Sequence, residues 1–573
     1  MNKLVATVID TTGIQRYIFG SNRLRENIGG SYLVQVATYE WVKECLLELG
    51  EVYIPDEETD DFELRITTNL EIVAELVYAG GGNTVLLFRT EEYAKEFTNK
   101  LTRKILHEAP GLNLVVAHEL FDWDTDSLQK VIDKKLIQGK LENEKRKPRP
   151  SMPILGMGVT ANCNSTGLVA VDISKYYGIP ENDSYLVSRE IVAKLKTVDR
   201  RYDELANKKL KETVLQNLNL GQYEYEIPYD VDDLGRSEGE SSYIAIVHAD
   251  GNRLGNRFQE YLKTASDDED CIVKMREFSR AVNRAGRKAL RAVAEMILNS
   301  ITIENNRAVI KYVDQSGELI NKVTLQKRDE KTYLPFRPIV YGGDDITFVC
   351  DGRLGLSLAA QFLKKFEEFT TDLPGRKEKA EKATACAGIA IVKTHYPFAK
   401  AYALSEALCG KAKKWMREET KDYEKPLFSA MDWHIAATGV TGSINEIRKR
   451  EYEVQIPERN EIASLVMRPM RSHSCKNEWR TWTGFAKVVN ELNIHEDWKD
   501  RRNKVMALRD VLRQGHEATQ QFRQVYRLKN LPTFPEADNE LGEKGWHWKG
   551  ICGYFDAIEA MEFYIPLGES NDE

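Results

Sequence analysis

Two kinds of hydrophobic pattern alternate along this chain, and they alternate twice in the same order. Leu4–Ile9 is an unbroken apolar, β-branched run, which predicts a strand buried on both faces. It runs into Asp10-Thr11-Thr12-Gly13. Gly29-Gly30-Ser31 then predicts the opening of a helix through about Leu49, with Ser31 as its N-cap or as a phosphate contact at the helix N-terminus. Ile72–Tyr78, the turn Ala79-Gly80-Gly81-Gly82-Asn83 and Val85–Phe88 read as strand, glycine-rich turn, strand. Ala94, Phe97, Leu101 and Ile105 fall at helical spacing within Glu91–His107, and Leu112–Ala117 closes the unit as a strand.

The second round starts at Tyr243–Ala249, another buried-strand run, which ends in Asp250-Gly251-Asn252-Arg253-Leu254-Gly255. An amphipathic helix is predicted over Lys274–Leu298, and a charged hairpin over about Ala308–Lys327. Pro338-Ile339-Val340 leads into Tyr341-Gly342-Gly343-Asp344-Asp345, and Ile346–Val349 leads out, so two strands join through a Gly-Gly turn. A helix from Leu354 with Leu358, Phe362, Phe366 and Phe369 on its inner face follows, then a strand over Thr384–Lys393 and a helix over Phe398–Trp415. The order strand, helix, strand, glycine turn, strand, helix, strand therefore occurs twice. Both copies end their first strand in an aspartate, Asp10 and Asp250. Only the second carries acids in its glycine turn: Gly-Gly-Asp-Asp against Gly-Gly-Gly-Asn. Between the copies, Lys140–Pro150 reads as a basic linker and Lys194–Lys211 as a solvated helix. Beyond them the chain reads as helical from Asn477, with Val505, Leu508, Val511 and Leu512 on one face and Phe522, Val525 and Tyr526 on another.

Composition changes this picture only by exclusion. A length of 573 residues allows several domains, and 42% apolar with 30% charged residues is ordinary for a soluble protein. The net charge of −8 argues against a general nucleic-acid coat. Eight scattered cysteines without a CxxC fit reduced thiols and neither a disulfide framework nor a compact zinc site. The apolar run at Leu4–Ile9 is too short for a signal peptide, and no stretch reaches the ~20 residues that span a bilayer, so a cytoplasmic location with no membrane partner is expected.

The chemistry gathers at the second glycine turn. Asp250 closes a strand that should neighbour the Asp344/Asp345 hairpin, so three carboxylates converge at one sheet edge. Oxygen ligands without His or Cys favour Mg²⁺ or Mn²⁺, and two such ions suit phosphoryl chemistry. Such a cluster repels itself without a cation. Gly342 and Gly343 leave room for a nucleotide where a Cβ would obstruct it. The bland alternative is a hairpin with incidental acids. His248 and His395, which flank these motifs, read as packed strand-end histidines.

Asp250-Gly-Asn-Arg-Leu-Gly255, Tyr341-Gly-Gly-Asp-Asp345 and Cys386-Ala-Gly-Ile-Ala-Ile-Val-Lys-Thr-His-Tyr-Pro-Phe398 together resemble the second palm domain of the large polymerase/cyclase subunit of type III CRISPR effector complexes. Ala407–Lys413 is similar to that domain's closing helix; Ile14–Phe19, Leu24-Arg-Glu26 and Gly29-Gly-Ser31 resemble its first palm. The resemblance implies an α+β fold: two ferredoxin-like palm (nucleotide cyclase) domains in tandem plus a helical C-terminal domain. The expected boundaries are 1–125 for a degenerate first palm, 126–240 for an intervening region, 241–415 for the second palm and 416–573 for the C-terminal domain.

It further implies synthesis of a cyclic oligoadenylate messenger from ATP in antiviral defence. Asp250, Asp344 and Asp345 would be catalytic and hold the metal, with Asp345 a ligand or an aid to deprotonation. Gly251, Gly342, Gly343 and Lys413 would lie against nucleotide, Lys413 either neutralising triphosphate or being a solvated helix lysine. Gly30, Ser31, Gly81 and Gly82 would belong to a non-catalytic acceptor-ATP site. CRISPR RNA and small effector subunits are the implied partners, and Leu465–Met470 is similar to a segment that follows the second palm. The alternatives are a stand-alone cyclic dinucleotide synthase and a non-catalytic RNA-binding scaffold. Three departures from the family pattern matter. No histidine precedes His107, so the His-Asp nuclease domain and DNA cleavage are not expected; Cys163 alone stands where a four-cysteine patch is usual, so no zinc is expected; and Asn252 replaces a second acid.

Overall fold

A computed structural model describes residues 3–56, 62–80, 82–147, 156–216, 218, 225–235, 242–328, 330–375, 382–421, 426–436, 442–456 and 461–568. The first repeat consists of β1 (Lys3–Thr12), α1 (Leu24–Thr38), β2 (Ala74–Gly80), β3 (Asn83–Phe88), α2 (Glu91–Glu108) and β4 (Asn113–Asp122). Its sheet runs β2-β3-β1-β4, antiparallel throughout, with the short strand Val52–Tyr53 beyond β2. The second repeat consists of β5 (Tyr243–Gly251), α3 (Asp268–Ser300), β6 (Phe336–Gly342), β7 (Asp345–Asp351), α4 (Gly355–Phe369) and β8 (Ala385–Lys393). Its sheet runs β6-β7-β5-β8 and is extended by α5 (Phe398–Glu419) and the parallel strand β9 (Ala430–Ala436). Two βαββαβ units with the same strand order are two ferredoxin-like palms in tandem, as the duplicated pattern predicts. The central strands are what continuous apolar runs should give: Ile244–Val247 and Ala249 are at most 2% exposed.

The repeat is kept down to single residues. Asp10 pairs with Asn83 across β1 and β3, and Ile9 with Thr84; Ala249 pairs with Ile346 in the same register, which sets Asp250 beside Asp345. Each hairpin's first strand carries a bulge three residues before its first glycine, at Val77 in β2 and Ile339 in β6. A bulge leaves a carbonyl without a ladder partner, and each one is held from the opposite palm. Ser31 Oγ on α1 donates to the Ile339 carbonyl, and Arg276 Nε on α3 donates to the Val77 carbonyl at 3.0 Å. Arg276 also meets Glu75 at 2.6 Å, both ends fully buried. The two palms are thus braced across their hairpins.

Several expectations are corrected. The helix expected from Gly29 to about Leu49 is two, Leu24–Thr38 and Glu40–Leu47, so Ser31 lies in mid-helix and is not an N-cap. Glycines 29 and 30 serve helix packing: a Cβ on Gly29 would stand 2.2 Å from the Lys194 carbonyl oxygen. Lys194–Lys211 is not one solvated helix but two, Arg189–Lys196 and Leu205–Thr213, with Lys194 buried and donating to the Tyr17 carbonyl. The start of the supposed linker, up to Lys145, ends a helix that runs from Leu128–Lys130 through π-helical Val131–Leu141 to Glu142–Lys145. Residues 148–150 of that linker, residues 57–61 of the stretch Asp56–Asp61, which reads as an acidic solvated loop, and Gly81 lie outside the described residues. Phe369 and Val525 are 40% and 76% exposed, so each leaves the apolar face it was placed on.

The C-terminal part packs the helices Trp482–Ile494, Arg502–Leu512, His516–Val525, Asn539–Lys544 and Phe555–Ala560 around Phe485, Trp546, Tyr554 and Tyr564, with a small four-stranded sheet beside them. Among the described residues no helix is long and apolar enough to cross a membrane.

Candidate active site

The site forms where β5 ends and the β6–β7 hairpin turns. Gly342 pairs with Asp345, so Gly343 and Asp344 make the two-residue turn, and Gly343 sits at φ 68°, the left-handed region that glycine alone enters without strain. A Cβ on Gly251 would stand 2.6 Å from Asp344 Oδ2 and 2.8 Å from its Cβ, so the bare backbone at the end of β5 is the seat of the Asp344 side chain. A Cβ on Gly342 would meet nothing within 4 Å: that face of the hairpin is open. On α5, Lys413 Nζ lies 2.5 Å from Asp250 Oδ2 and donates to the Gly251 carbonyl at 2.9 Å.

Of the three carboxylates around the turn, Asp344 and Asp345 have raised pKa values. Burial in the cleft, and then the negative charges of Asp250 and Asp344, push Asp345 up to about 7. With 52% of its side chain still open, Asp345 keeps much of its water, and the two neighbouring charges are the cause that persists. Burial and then Asp250 raise Asp344 as well. His248 lies beneath, its Nδ1 3.2 Å from Thr347 Oγ1 and 3.5 Å from Asp345 Oδ1, and burial holds its pKa down, so it stands as a neutral support.

The hairpin opens into a cavity of about 410 Å³ between the palms. Ser31 and Gly82 line it from the first palm, Gly342 and Asp345 from the second, and one face of α3 supplies Arg280, Arg284, Arg287, Lys288 and Arg291. Cations outnumber the single lining carboxylate, which gives a chamber suited to a polyanion of nucleotide size. The first palm repeats the site without its turn acids: Lys145 Nζ meets Asp10 Oδ2 at 2.5 Å, as Lys413 meets Asp250, and each lysine lies on the helix after its palm's fourth strand.

The sequence-predicted residues sort by position. Asp250, Asp344, Asp345, Gly251, Gly342, Gly343 and Lys413 converge on the hairpin. Ser31 lines the cavity but gives its hydroxyl hydrogen to Ile339. Gly82, at φ 83°, accepts from the Thr11 backbone N–H and hydroxyl, and so ties its turn to the end of β1. Gly30 is wedged against Ile18 and Lys194, inside the protein. Asn252 turns away from the carboxylates, donating to Thr384 Oγ1. His395 is not packed: its side chain is 73% exposed. Sequence reasoning missed the arginine face of α3, whose period was read only for its apolar side. It also missed Glu406, seven residues before Lys413 on the same face of α5, where it accepts from Gln15 of the first palm at 2.6 Å.

Hard oxygen donors, two of them (Asp344 and Asp345) with pKa values raised by burial and then by neighbouring negative charge, have the chemistry of a divalent-cation site. As the side chains lie, no group of three acids, histidines or cysteines among the described residues is at ligand spacing.

Two palms in tandem, one with an acidic hairpin, define the class of fold. Residues 243–423 match the family profile of the Cas10/Cmr2 second palm domain. No curated protein matches the chain. Among solved structures it is similar to a Csm1–Csm4 cassette in complex with cA4 (15% identity, 72% of this chain and 53% of that one, TM-score 0.40). It is also similar to a Csm1–Csm4 cassette in complex with AMPPNP (13%, 98% and 70%, 0.47) and to Csm1 in T. onnurineus (12%, 99% and 70%, 0.49). The chain spans about half the length of the first of these.

Proposed function

We propose that the chain joins ATP molecules into a cyclic oligoadenylate within a type III CRISPR-type defence system. The observation that carries this is the convergence of Asp250, Asp344, Asp345 and Lys413, all inside the matched second palm, at a hairpin whose Gly342 and Asp345 open onto a cation-lined chamber of nucleotide size. In the reaction the 3′-hydroxyl oxygen of one ATP forms a bond to the α-phosphorus of another, the bond to the pyrophosphate oxygen breaks, and the hydroxyl proton is lost. The open face at Gly342 receives the ribose and α-phosphate, and the arginine face of α3 takes the remaining phosphates. Asp345, with a pKa near 7, is suited to take the hydroxyl proton on a carboxylate oxygen. Lys413 balances charge beside Asp250 and would face the phosphates. Asp250, Asp344 and Asp345 would hold Mg²⁺ or Mn²⁺, two ions in all, which when bound neutralise charge on the reacting phosphate and on pyrophosphate. The first palm, with Asn83 in place of an acid, would hold the acceptor ATP. Small effector subunits and guide RNA would be its partners.

The test is product formation by the purified chain with Mn²⁺ and each labelled nucleoside triphosphate, with and without effector subunits and target RNA, beside Asp344→Ala/Asp345→Ala. Cyclic oligoadenylate from the wild type and none from the variant is expected. A cyclic product from GTP alone would move the reading to a dinucleotide synthase. Absence of cyclic product in every arm would sink it.

A further inference from the structure

The acidic turn is gripped by α3, and one side chain does the gripping. Gly343 belongs to the two-residue turn, so its N–H lies outside the ladder of the β6–β7 hairpin. Asn283 Oδ1, on α3, accepts from that N–H at 2.7 Å. On the other side of the same residue, a Cβ on Gly286 would stand 2.2 Å from the Gly343 carbonyl oxygen, so the turn lies directly on the helix backbone. Gly343 is therefore bonded at its N–H and packed at its carbonyl by residues three apart on one face of α3. Seven residues earlier, on that face, Arg276 holds the bulge carbonyl of the first palm's hairpin. Asn283 also reaches the first palm: its amide nitrogen would be 3.3 Å from a Cβ on Gly80.

We infer that Asn283 is a positioning residue for the acidic turn. It fixes the Gly342–Gly343 peptide, one residue ahead of Asp344, and thereby sets where the Asp344 and Asp345 carboxylates stand relative to the opposite glycine hairpin. It touches neither carboxylate in this structure, so its effect passes through the backbone of Gly343. Catalytic groups have to be held to within a fraction of an ångström, and a single buried-side acceptor on a turn amide is the means available here. The inference rests on the cyclase reading only for its consequence in turnover.

The experiment uses the full chain as wild type, Asn283→Ala and Asn283→Asp, the last keeping an acceptor oxygen at the same reach. Hydrogen exchange of the Gly343 amide, followed without metal or nucleotide, is expected to quicken about tenfold in Asn283→Ala and to return towards wild type in Asn283→Asp. In product assays Asn283→Ala should lose at least about tenfold in kcat with KM for ATP changed by less than about twofold. Unchanged exchange in Asn283→Ala overturns the inference, and so does quicker exchange with unaltered kcat. Should the wild type make no cyclic product, the reading of function fails by itself, and the exchange arm still decides whether Asn283 holds the turn.

Discussion

At the scale of single residues, the site depends on what is missing as much as on what is present. Asp344 occupies the space a Gly251 side chain would fill. Gly251→Ala should displace that carboxylate and lower cyclic-product formation by about a hundredfold, a 1 Å misplacement being worth that much. A wild-type rate in Gly251→Ala would show that Asp344 is not needed where it stands. Ser31→Ala removes the donor to the Ile339 carbonyl and should cost roughly 1 kcal/mol in chemical denaturation. The grouping of the three aspartates and the turn glycines was readable from the sequence because two strand-forming runs meet at Gly-Gly-Asp-Asp and a third ends in Asp250; Lys413 came from the family resemblance alone. Asn283 was not. An asparagine within a helix carries no signal in one dimension, and its role exists only because the turn is laid across that helix from 60 residues away. Ser31 misled for a related reason: Gly-Gly-Ser reads as a helix start, but the glycines are there to let another helix approach.

At the scale of elements, β9 extends the second sheet and carries buried polar groups towards the C-terminal helices. His434 on β9 is 4% exposed, its ring 6.2 Å from Tyr452, and burial and then the charges of Arg468 and Arg448 hold its pKa down to about 3. The unfolded chain takes up this proton near pH 6.5, well before the folded one does. The stability this group contributes is therefore complete above about pH 6.5 and drains away as the pH falls towards 3. Between pH 7.5 and 5 the loss should be roughly 2 kcal/mol, and His434→Phe should remove it. Denaturation of both proteins at the two pH values measures the difference; equal losses would rule out His434 as the source. Strands and helices were legible wherever an apolar period ran for several turns. The helix ending in Lys145 was not, because its last turns are polar and face a charged site, and so they resemble a linker.

At the scale of the whole molecule, the two palms behave as one body. Arg276 and Glu75 form a fully buried ion pair between them, and Arg276 also donates to the Phe62, Glu63, Leu76 and Val77 carbonyls. Arg276→Met leaves Glu75 buried without its partner and should cost about 3–5 kcal/mol. It should also separate a single unfolding transition of the palms into two, followed by tryptophan fluorescence against urea. A single, unshifted transition would mean that the palms are coupled elsewhere. The tandem arrangement was visible in the repeated pattern. The cross-bracing was not, since neither bulge nor its distant partner marks the sequence.

The duplicated pairs, Lys145 with Asp10 and Lys413 with Asp250, bear on how such a protein can change over time. The first palm, whose glycine turn lacks the acids, supplies the hydroxyl that steadies the second palm's hairpin. A change at that serine is therefore felt across the boundary. In a saturation mutagenesis selection for the proposed messenger production, Ser31 should accept few substitutions. One half of the gene would then be kept as scaffolding for the other, and its inheritance would be written in contacts as well as in chemistry.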